Sequence, residues 1–129
     1  MKSKITWSTS LICVDYFGAI ENSDIERVHF ELSGDARFYE CDGLILNLIA
    51  CTLEQVSVPD LINVIATDIG ASKTLRNLKV AFVITNQASI AKARDYIEQF
   101  RLFKSSWRFK ITPSLEDAQQ WLQAEALHQ

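Results

Sequence analysis

Two short and almost purely apolar segments constrain this chain more than any other feature. Residues 43–49 and 80–85 carry nearly continuous apolar side chains, and an amphipathic stretch lies between them. Strands of parallel sheets have this composition because helices cover both of their faces. The pattern therefore predicts an α/β chain in which helices pack on a mostly parallel sheet.

Three further segments have the character of strands. Residues 5–7 and 11–17 are separated by a Ser-Thr-Ser turn, so we predict that they form an antiparallel pair. Residues 107–111 alternate strictly between apolar and polar side chains, which indicates an edge strand with one face in water. Together with the two apolar segments, these make a five-stranded sheet.

Four amphipathic segments have the character of helices. The first begins with a Ser-Asp-Ile-Glu capping box at residues 23–26 and ends at Ser33-Gly34. The second begins at residues 57–60 with proline in its first turn, the third spans residues 89–103, and Ser114 caps the last. The predicted order β-β-α-β-α-β-α-β-α describes a single domain over residues 1–129, with a mixed, mostly parallel sheet and about four helices.

The charge distribution narrows the classes of partner. The chain has 13 Lys and Arg against 16 Asp and Glu, a formal charge of −3. Residues 1–64 hold 4 basic and 10 acidic side chains, whereas residues 65–129 hold 9 basic and 6 acidic ones. A mildly acidic chain argues against a dedicated nucleic-acid binder. We expect the basic second half to form a solvated helix face and a protected edge strand.

The chain offers no segment for a membrane or a secretory signal. Two lysines near the N-terminus are not followed by an apolar core, and no apolar run approaches the ~20 residues that a bilayer span needs. We therefore expect no integral membrane segment and a cytoplasmic location.

The three cysteines also fit a reducing compartment, because their number is odd and no C-x-x-C spacing occurs. Cys13 and Cys51 lie in apolar surroundings and are expected to be buried. Cys41 lies between Glu40 and Asp42 and is expected to be exposed, with its pKa raised by those carboxylates.

Patterns that serve catalysis or cofactor binding are missing. The four glycines are scattered, which excludes the dinucleotide and phosphate-loop fingerprints. The two histidines, His29 and His128, have no Cys or His at the spacing of metal ligands, and we interpret His29 as packing. The sequence therefore predicts a non-enzymatic protein with no cofactor, no metal and no catalytic residue.

Candidate binding residues follow from the predicted topology. In parallel sheets, ligands and partners meet the carboxyl ends of the strands and the adjoining helix N-termini. After the third strand, the candidates for a partner loop or phospho-acceptor are Thr52, Gln55, Ser57 and Asp60. After the fourth and fifth strands, the candidate ligand-end residues are Thr85, Asn86 and Thr112. Ser57 fits either a phosphate acceptor on a helix dipole or a plain N-cap serine.

Four segments carry a resemblance to a known family. They are Phe17-Gly18-Ala19-Ile20, residues 43–48, residues 78–83 and the capped helix region 111–122. On these segments the chain resembles the STAS/SpoIIAA-like group, the fold of the anti-sigma-factor antagonists, and its stand-alone STAS/SEC14-type proteins of bacteria. The resemblance implies a SpoIIAA-like fold.

The resemblance also implies where a regulatory switch would lie. Regulatory members of the group carry an Asp-Ser-Ser/Thr-Gly motif after the third strand, and a partner kinase phosphorylates its serine or threonine. The corresponding stretch here is Glu54-Gln55-Val56-Ser57-Val58, in which only Ser57 survives and the acceptor position itself falls near Val56. Asn47 stands where the family usually has a strand aspartate.

Two functions follow from this resemblance. The first is a regulatory module that binds a protein partner of the regulator or kinase type. The alternative is a Sec14-like carrier or sensor of a small apolar ligand or lipid, held between the sheet and the second helix near Leu61, Ile65 and Ile69. The predicted edge strand would also permit a homodimer.

Overall fold

The computed structural model describes residues 2–127, which form a mixed α/β structure. Its strands are β1 (Ser3–Trp7), β2 (Leu11–Tyr16), β3 (Gly18–Ala19), β4 (Gly43–Asn47), β5 (Cys51–Thr52), β6 (Lys79–Val83) and β7 (Arg108–Thr112). Its α-helices are α1 (Asn22–Ser33), α2 (Ile62–Ser72), α3 (Gln87–Leu102) and α4 (Leu115–Leu127). Two short 3-10 helices occupy Ala36–Glu40 and Val58–Leu61.

Five of the strands form the predicted sheet, in the order β1-β2-β4-β6-β7. Only the pair of β1 with β2 is antiparallel, and the other three pairs are parallel. β3 and β5 form a separate two-stranded parallel ladder in which Gly18 pairs with Cys51. This ladder was not predicted, because two residues are too few to show a periodic pattern. The fold class that the sequence predicts is thus confirmed.

The helices lie on opposite faces of the sheet. Because parallel crossovers are right-handed and the strands follow one another in one direction, α1, α2 and α3 lie on the same side. We call this side the helix-rich face, and it holds the larger apolar core, to which Val28, Val64 and Phe100 contribute. The opposite side is the α4 face, where Ala118 of the last helix packs on the sheet.

The first helix begins differently from its prediction. Glu21 is the N-cap, and the Asp24 carboxylate accepts a hydrogen bond of 2.9 Å from the Glu21 N–H. The capping residue is therefore not Ser23, and Glu26 is not the residue that reaches back. An aspartate at the third helical position makes the reciprocal bond in their place. The helix ends at Gly34, as the sequence predicts.

The cysteines correct a second prediction. Cys41 is buried, with 3% of its surface exposed, although its neighbours are charged. It follows the 3-10 helix Ala36–Glu40, which turns its side chain into the core while Asp42 faces solvent. Cys51 is buried as expected, and Cys13 is half-buried against the α4 face.

The edge strand matches its prediction. β7 pairs only with β6, and its charged side chains Arg108 and Lys110 are exposed while Phe109 is half-buried. Within residues 2–127, no helix is long and apolar enough to cross a membrane. Fraying is predicted after Ala126, but Leu127 is the last residue of α4, and residues 128 and 129 lie outside the described residues.

Candidate functional site

The carboxyl ends of β4 and β6 are neighbours in the sheet, since Asn47 pairs with Val83 there. The chain leaves β4 at this end and reaches α2 through residues 52–60, which we call the candidate loop. The Asn47 amide donates a hydrogen bond of 2.8 Å to Asp15 on the adjacent strand β2. The end of β4 that leads towards the loop is therefore joined to β2 by a side-chain hydrogen bond.

The candidate loop divides its side chains between core and solvent. Leu53, Val56 and Val58 are buried. Four of its polar side chains are exposed, namely Thr52, Glu54, Gln55 and Asp60. Three apolar anchors hold the inner side of the loop, and its outer side is free to contact a partner. The structure thus brings together the predicted residues Thr52, Gln55, Ser57 and Asp60.

Lys92 of α3 fastens one end of this loop. Its Nζ lies 2.5 Å from the Leu53 carbonyl oxygen, 2.7 Å from that of Val56 and 3.2 Å from that of Glu54. An ammonium group has three N–H donors and no acceptor, so these three carbonyls satisfy all of them. The sequence shows Lys92 as one cation of a basic helix face and gives no sign of this role.

Asn22, the first residue of α1, fastens the other end. Its side-chain oxygen accepts from the Ser57 N–H at 2.9 Å, and its side-chain nitrogen donates to the Ser57 carbonyl at 3.0 Å. The amide therefore pairs with Ser57 as the main chain of a strand would. Two helices that are distant in sequence set the conformation of the loop between them.

Ser57 stands at the N-cap position of the 3-10 helix Val58–Leu61, and it is half-exposed. Among the hydrogen bonds described for residues 2–127, its hydroxyl makes no capping bond. The main chain of Ser57 is fixed while its hydroxyl remains unused by the helix.

The predicted ligand-end residues have structural contacts of their own. The Asn86 side chain caps α3 by accepting from the Ser89 N–H at 3.1 Å. Thr112 is buried, and its hydroxyl lies 3.2 Å from the Ser114 carbonyl. Thr85 directly precedes Asn86, is exposed, and has no described hydrogen bond from its hydroxyl. Among the hydrogen bonds and ion pairs described for residues 2–127, none joins these three residues to the candidate loop.

A buried polar cluster joins the three helices of the helix-rich face. Nδ1 of His29 lies 2.8 Å and 3.1 Å from the two carboxylate oxygens of Asp68, and the Tyr96 hydroxyl donates to the same carboxylate. All three side chains are less than 8% exposed. Asp68 could be recognised from its position on the apolar stripe of α2, because a carboxylate at core spacing needs partners.

The Tyr96 hydroxyl and the thiols of Cys41 and Cys51 are held in their neutral forms. Burial raises the pKa of Tyr96 well above its ordinary value, and the Asp68 carboxylate raises it further. Burial likewise raises the pKa of Cys41 and Cys51 to about 11. Thiols with such pKa values are weak nucleophiles at neutral pH. Among the described residues there is also no group of three His, Cys, Asp or Glu side chains that could hold a metal.

Comparisons with known proteins give the fold. No family model and no curated protein matches the chain. The structure of the anti-sigma factor antagonist SpoIIAA in its unphosphorylated form matches with a TM-score of 0.51 and 12% identity, over 94% of this chain and 97% of that one. An uncharacterized DUF3478-family protein from Shewanella loihica PV-4 matches with a TM-score of 0.53 and 13% identity, over 93% and 91% of the two chains.

Both likenesses are too distant in sequence to carry more than the architecture. They agree with the mixed five-stranded sheet and the four helices found here. They support the SpoIIAA-like fold that the resemblance in sequence implies. The chain has the SpoIIAA-like fold.

Proposed function

We propose that this chain is a non-enzymatic regulatory module that binds a protein partner through the candidate loop. The observation that carries the proposal is the division of the loop into a fixed main chain and outward-facing polar side chains. Lys92 and Asn22 hold the main chain, while Gln55 and Asp60 point to solvent. A fixed loop binds a partner without the entropic cost of ordering it.

The surface beside the loop has the composition of an interface. Ile62, in the first turn of α2, is 67% exposed, and Ile49, just before the loop, is 48% exposed. The exposed carboxylates of Glu54 and Asp60 lie in the same stretch of chain. Apolar side chains with a polar rim are typical of protein interfaces. A partner with apolar and basic side chains would complement this surface.

The fold neighbours support a regulatory rather than a metabolic role. SpoIIAA is described as an anti-sigma factor antagonist, and the form that matches is unphosphorylated. In this chain Ser57 is the candidate acceptor, because its hydroxyl is half-exposed and is not used in capping. A phosphate would add a charge of about −1.5 to −2 beside Glu54 and Asp60, and would change the surface that the partner meets.

The test is affinity capture with a surface variant and a matched control. Ile62→Glu places a charge on the exposed apolar side chain that follows the loop. Leu102→Glu is the matched control, because Leu102 is also 67% exposed but lies at the C-terminal end of α3. We expect a specific protein to be recovered with the wild type and Leu102→Glu, and lost with Ile62→Glu. Equal recovery by both variants would contradict the proposed surface.

Phosphorylation is tested separately. Mass spectrometry of the protein isolated from its own cells is expected to find phosphate on Ser57. Ser57→Asp is expected to weaken partner recovery, and Ser57→Ala to preserve it. A phosphate found elsewhere, or identical recovery with both variants, would remove Ser57 from the proposal.

A second candidate function rests on a pocket beneath the candidate loop. It has a volume of about 50 Å³ and is lined by Leu46, Leu53, Leu61 and Phe82 among others. Of the three residues predicted beside an apolar ligand, Leu61 lines it, while Ile65 and Ile69 pack in the core. A pocket of this size holds a few water-sized molecules, so its ligand would be small and apolar rather than a lipid.

The pocket is tested with a small apolar probe. Xenon, a single apolar atom that enters dry cavities, is expected to shift the methyl NMR signals of Leu53 and Leu61, whereas phospholipid vesicles are expected to leave them unchanged. If xenon produces no shift, the pocket is not a ligand site.

A further inference from the structure

The ammonium of Lys92 sits in a site made of main-chain oxygens. The carbonyls of Leu53, Glu54 and Val56 converge on it within 2.5 to 3.2 Å. None of the ion pairs described for residues 2–127 includes Lys92, so no carboxylate shares its charge. Three carbonyl dipoles that point at one spot repel one another unless a cation lies there. This loop conformation therefore depends on the positive charge.

The geometry also explains why the cation is a lysine. An ammonium group is compact and presents three donors around one nitrogen, as a bound metal ion or ammonium ion would. A guanidinium spreads its donors over a plane and suits carboxylates instead. Lys92 is half-buried, and its stem lines the pocket under the loop. Its three donors all bind the main chain of the loop.

Asn22 completes the arrangement at the other end of the same segment. Its two hydrogen bonds to Ser57 fix that residue from the side of α1, while Lys92 acts from the side of α3. Within the loop, the Val56 N–H donates to the Leu53 carbonyl at 3.0 Å, which closes a turn. The main chain of residues 53–57 is thus held by one turn and two side chains.

We infer that Lys92 and Asn22 are positioning residues that preform residues 53–57 for partner binding, with Lys92 as the essential cation. The inference rests on the proposed function for its link to binding. The claim that the two side chains hold residues 53–57 concerns the free protein and can be tested without a partner. Neither residue contacts the partner in this arrangement, because both act through the main chain of the loop.

The first experiment measures hydrogen exchange in the free protein. Lys92→Met keeps the length of the side chain and removes its charge and donors. We expect the amides of Val56 and Ser57 to exchange at least tenfold faster, while amides of the central strand β6 keep their protection. Lys110→Met, which removes an exposed lysine from β7, is the matched control and is expected to change neither. Unchanged exchange in Lys92→Met would overturn the inference.

Chemical rescue separates the role of the cation from a general loss of packing. In Lys92→Ala, propylammonium is expected to slow exchange of the Val56 amide again, because it restores the ammonium and its three donors. Tetramethylammonium carries the same charge without donors and is expected to have no effect. Lys92→Arg is expected to show fast exchange at Val56 as well, because a planar guanidinium does not match three converging carbonyl oxygens. Rescue by both cations, or by neither, would contradict the assignment.

Asn22→Ala provides a second variant if the changes at residue 92 prevent folding. It is expected to accelerate exchange at Ser57, whose N–H loses its acceptor. Partner capture then completes the test. A loosened loop in Lys92→Met with at least tenfold weaker capture supports the inference, and undiminished capture overturns its link to binding. Undiminished capture with Ile62→Glu overturns the proposed function instead, so the two failures are distinguishable.

Discussion

The helix-rich face and the α4 face cover the same sheet but are built differently. On the α4 face, the buried cluster consists of Ile45, Ala81, Val83 and Ala118, all of them apolar. On the helix-rich face, three helices enclose the carboxylate of Asp68 together with an imidazole and a phenol. The candidate loop is also fastened by α1 and α3 on that side. The buried cluster around Asp68 is thus built by the crossover helices.

The largest effect is expected for Asp68→Ala on the helix-rich face. The substitution leaves His29 and Tyr96 buried without their acceptor. Each buried donor left without an acceptor costs about 1–3 kcal/mol, so the two together predict a loss of about 2–6 kcal/mol. Urea denaturation should report that loss in the free energy of unfolding, and a loss below about 1 kcal/mol would show that the cluster is not integral to the core.

A companion variant tests whether polarity itself is needed. Replacing the whole cluster, with Asp68→Leu, His29→Leu and Tyr96→Phe together, is expected to cost far less than Asp68→Ala alone. Well-packed apolar groups often replace a buried ionic cluster with little loss of stability. If the triple variant loses as much unfolding free energy as Asp68→Ala, the cluster contributes more to stability than the hydrogen bonds among its own members.

A smaller loss is expected for Ile45→Ala on the α4 face. The change opens a cavity between the sheet and a single helix, at a cost of about 2–3 kcal/mol. Leu122 lies close by, since a Cβ added at Gly43 would be 3.1 Å from it, and it can move to fill part of the space. Ile45→Val is the matched control and should cost about 0.5–1.5 kcal/mol. A loss equal to that of Asp68→Ala would erase the difference between the faces.

The next largest stability losses are expected for variants at the first turns of α1 and α4, and these losses should depend differently on pH. Burial raises the pKa of Asp24, but the Glu21 N–H and the charges of Lys2 and Arg27 outweigh it and lower the pKa overall. A carboxyl with a lowered folded pKa contributes stability above its unfolded pKa of about 3.9 and loses it as the pH falls. Asp24→Asn should therefore cost about 1 kcal/mol at pH 7, and this cost should shrink as the pH falls below about 3.9.

Ser114→Ala is the counterpart on α4. Its hydroxyl accepts from the Asp117 N–H at 3.1 Å and does not titrate. We expect a loss of about 1 kcal/mol that is the same at pH 7 and at a pH well below the ordinary carboxyl pKa of about 3.9. Thermal unfolding at both values distinguishes the two variants, and parallel behaviour would contradict the role given to Asp24.

The smallest effect concerns the thiols, which should barely react in the folded protein. Burial raises the pKa of all three to about 11, and for Cys13 the Asp15 carboxylate adds to it. At pH 8 a thiolate fraction on the order of one in a thousand follows. A thiol reagent should modify Cys13 first, because it is half-buried, and Cys41 and Cys51 more slowly. Rapid modification of Cys51 would show that the helix-rich face opens locally.

The sheet and helices could be predicted because their signals are local. The apolar runs at β4 and β6 and the spacing within α3 are legible without any tertiary information. The burial of Cys41 could not, because it depends on how a five-residue 3-10 helix turns. The start of α1 was misassigned since serine is the commoner capping residue, and only the folded chain shows which carboxylate reaches the N–H.

For the candidate site, likewise, the position in the chain could be predicted from the sequence, but the contacts that hold it could not. Its place in the chain follows from the rule that parallel strands end at a common edge, which puts Ser57 and Asp60 there. What holds it does not follow, because Lys92 is 36 residues from Val56 and Asn22 is 35 residues from Ser57. Contacts over such separations leave no trace in a local pattern. Lys92 in particular reads as one more surface cation.

The order of the strands also has a consequence for how the chain is made. Every parallel strand pairs with the one that precedes it in the main sheet, so a growing chain can add each strand to an edge that already exists. Before β7 emerges, that edge is β6, whose five residues are all buried in the finished structure. An apolar open edge invites pairing with other chains. Once β7 has formed, it covers the β6 edge, and the exposed charges of Arg108 and Lys110 make the new edge less prone to pair with other chains.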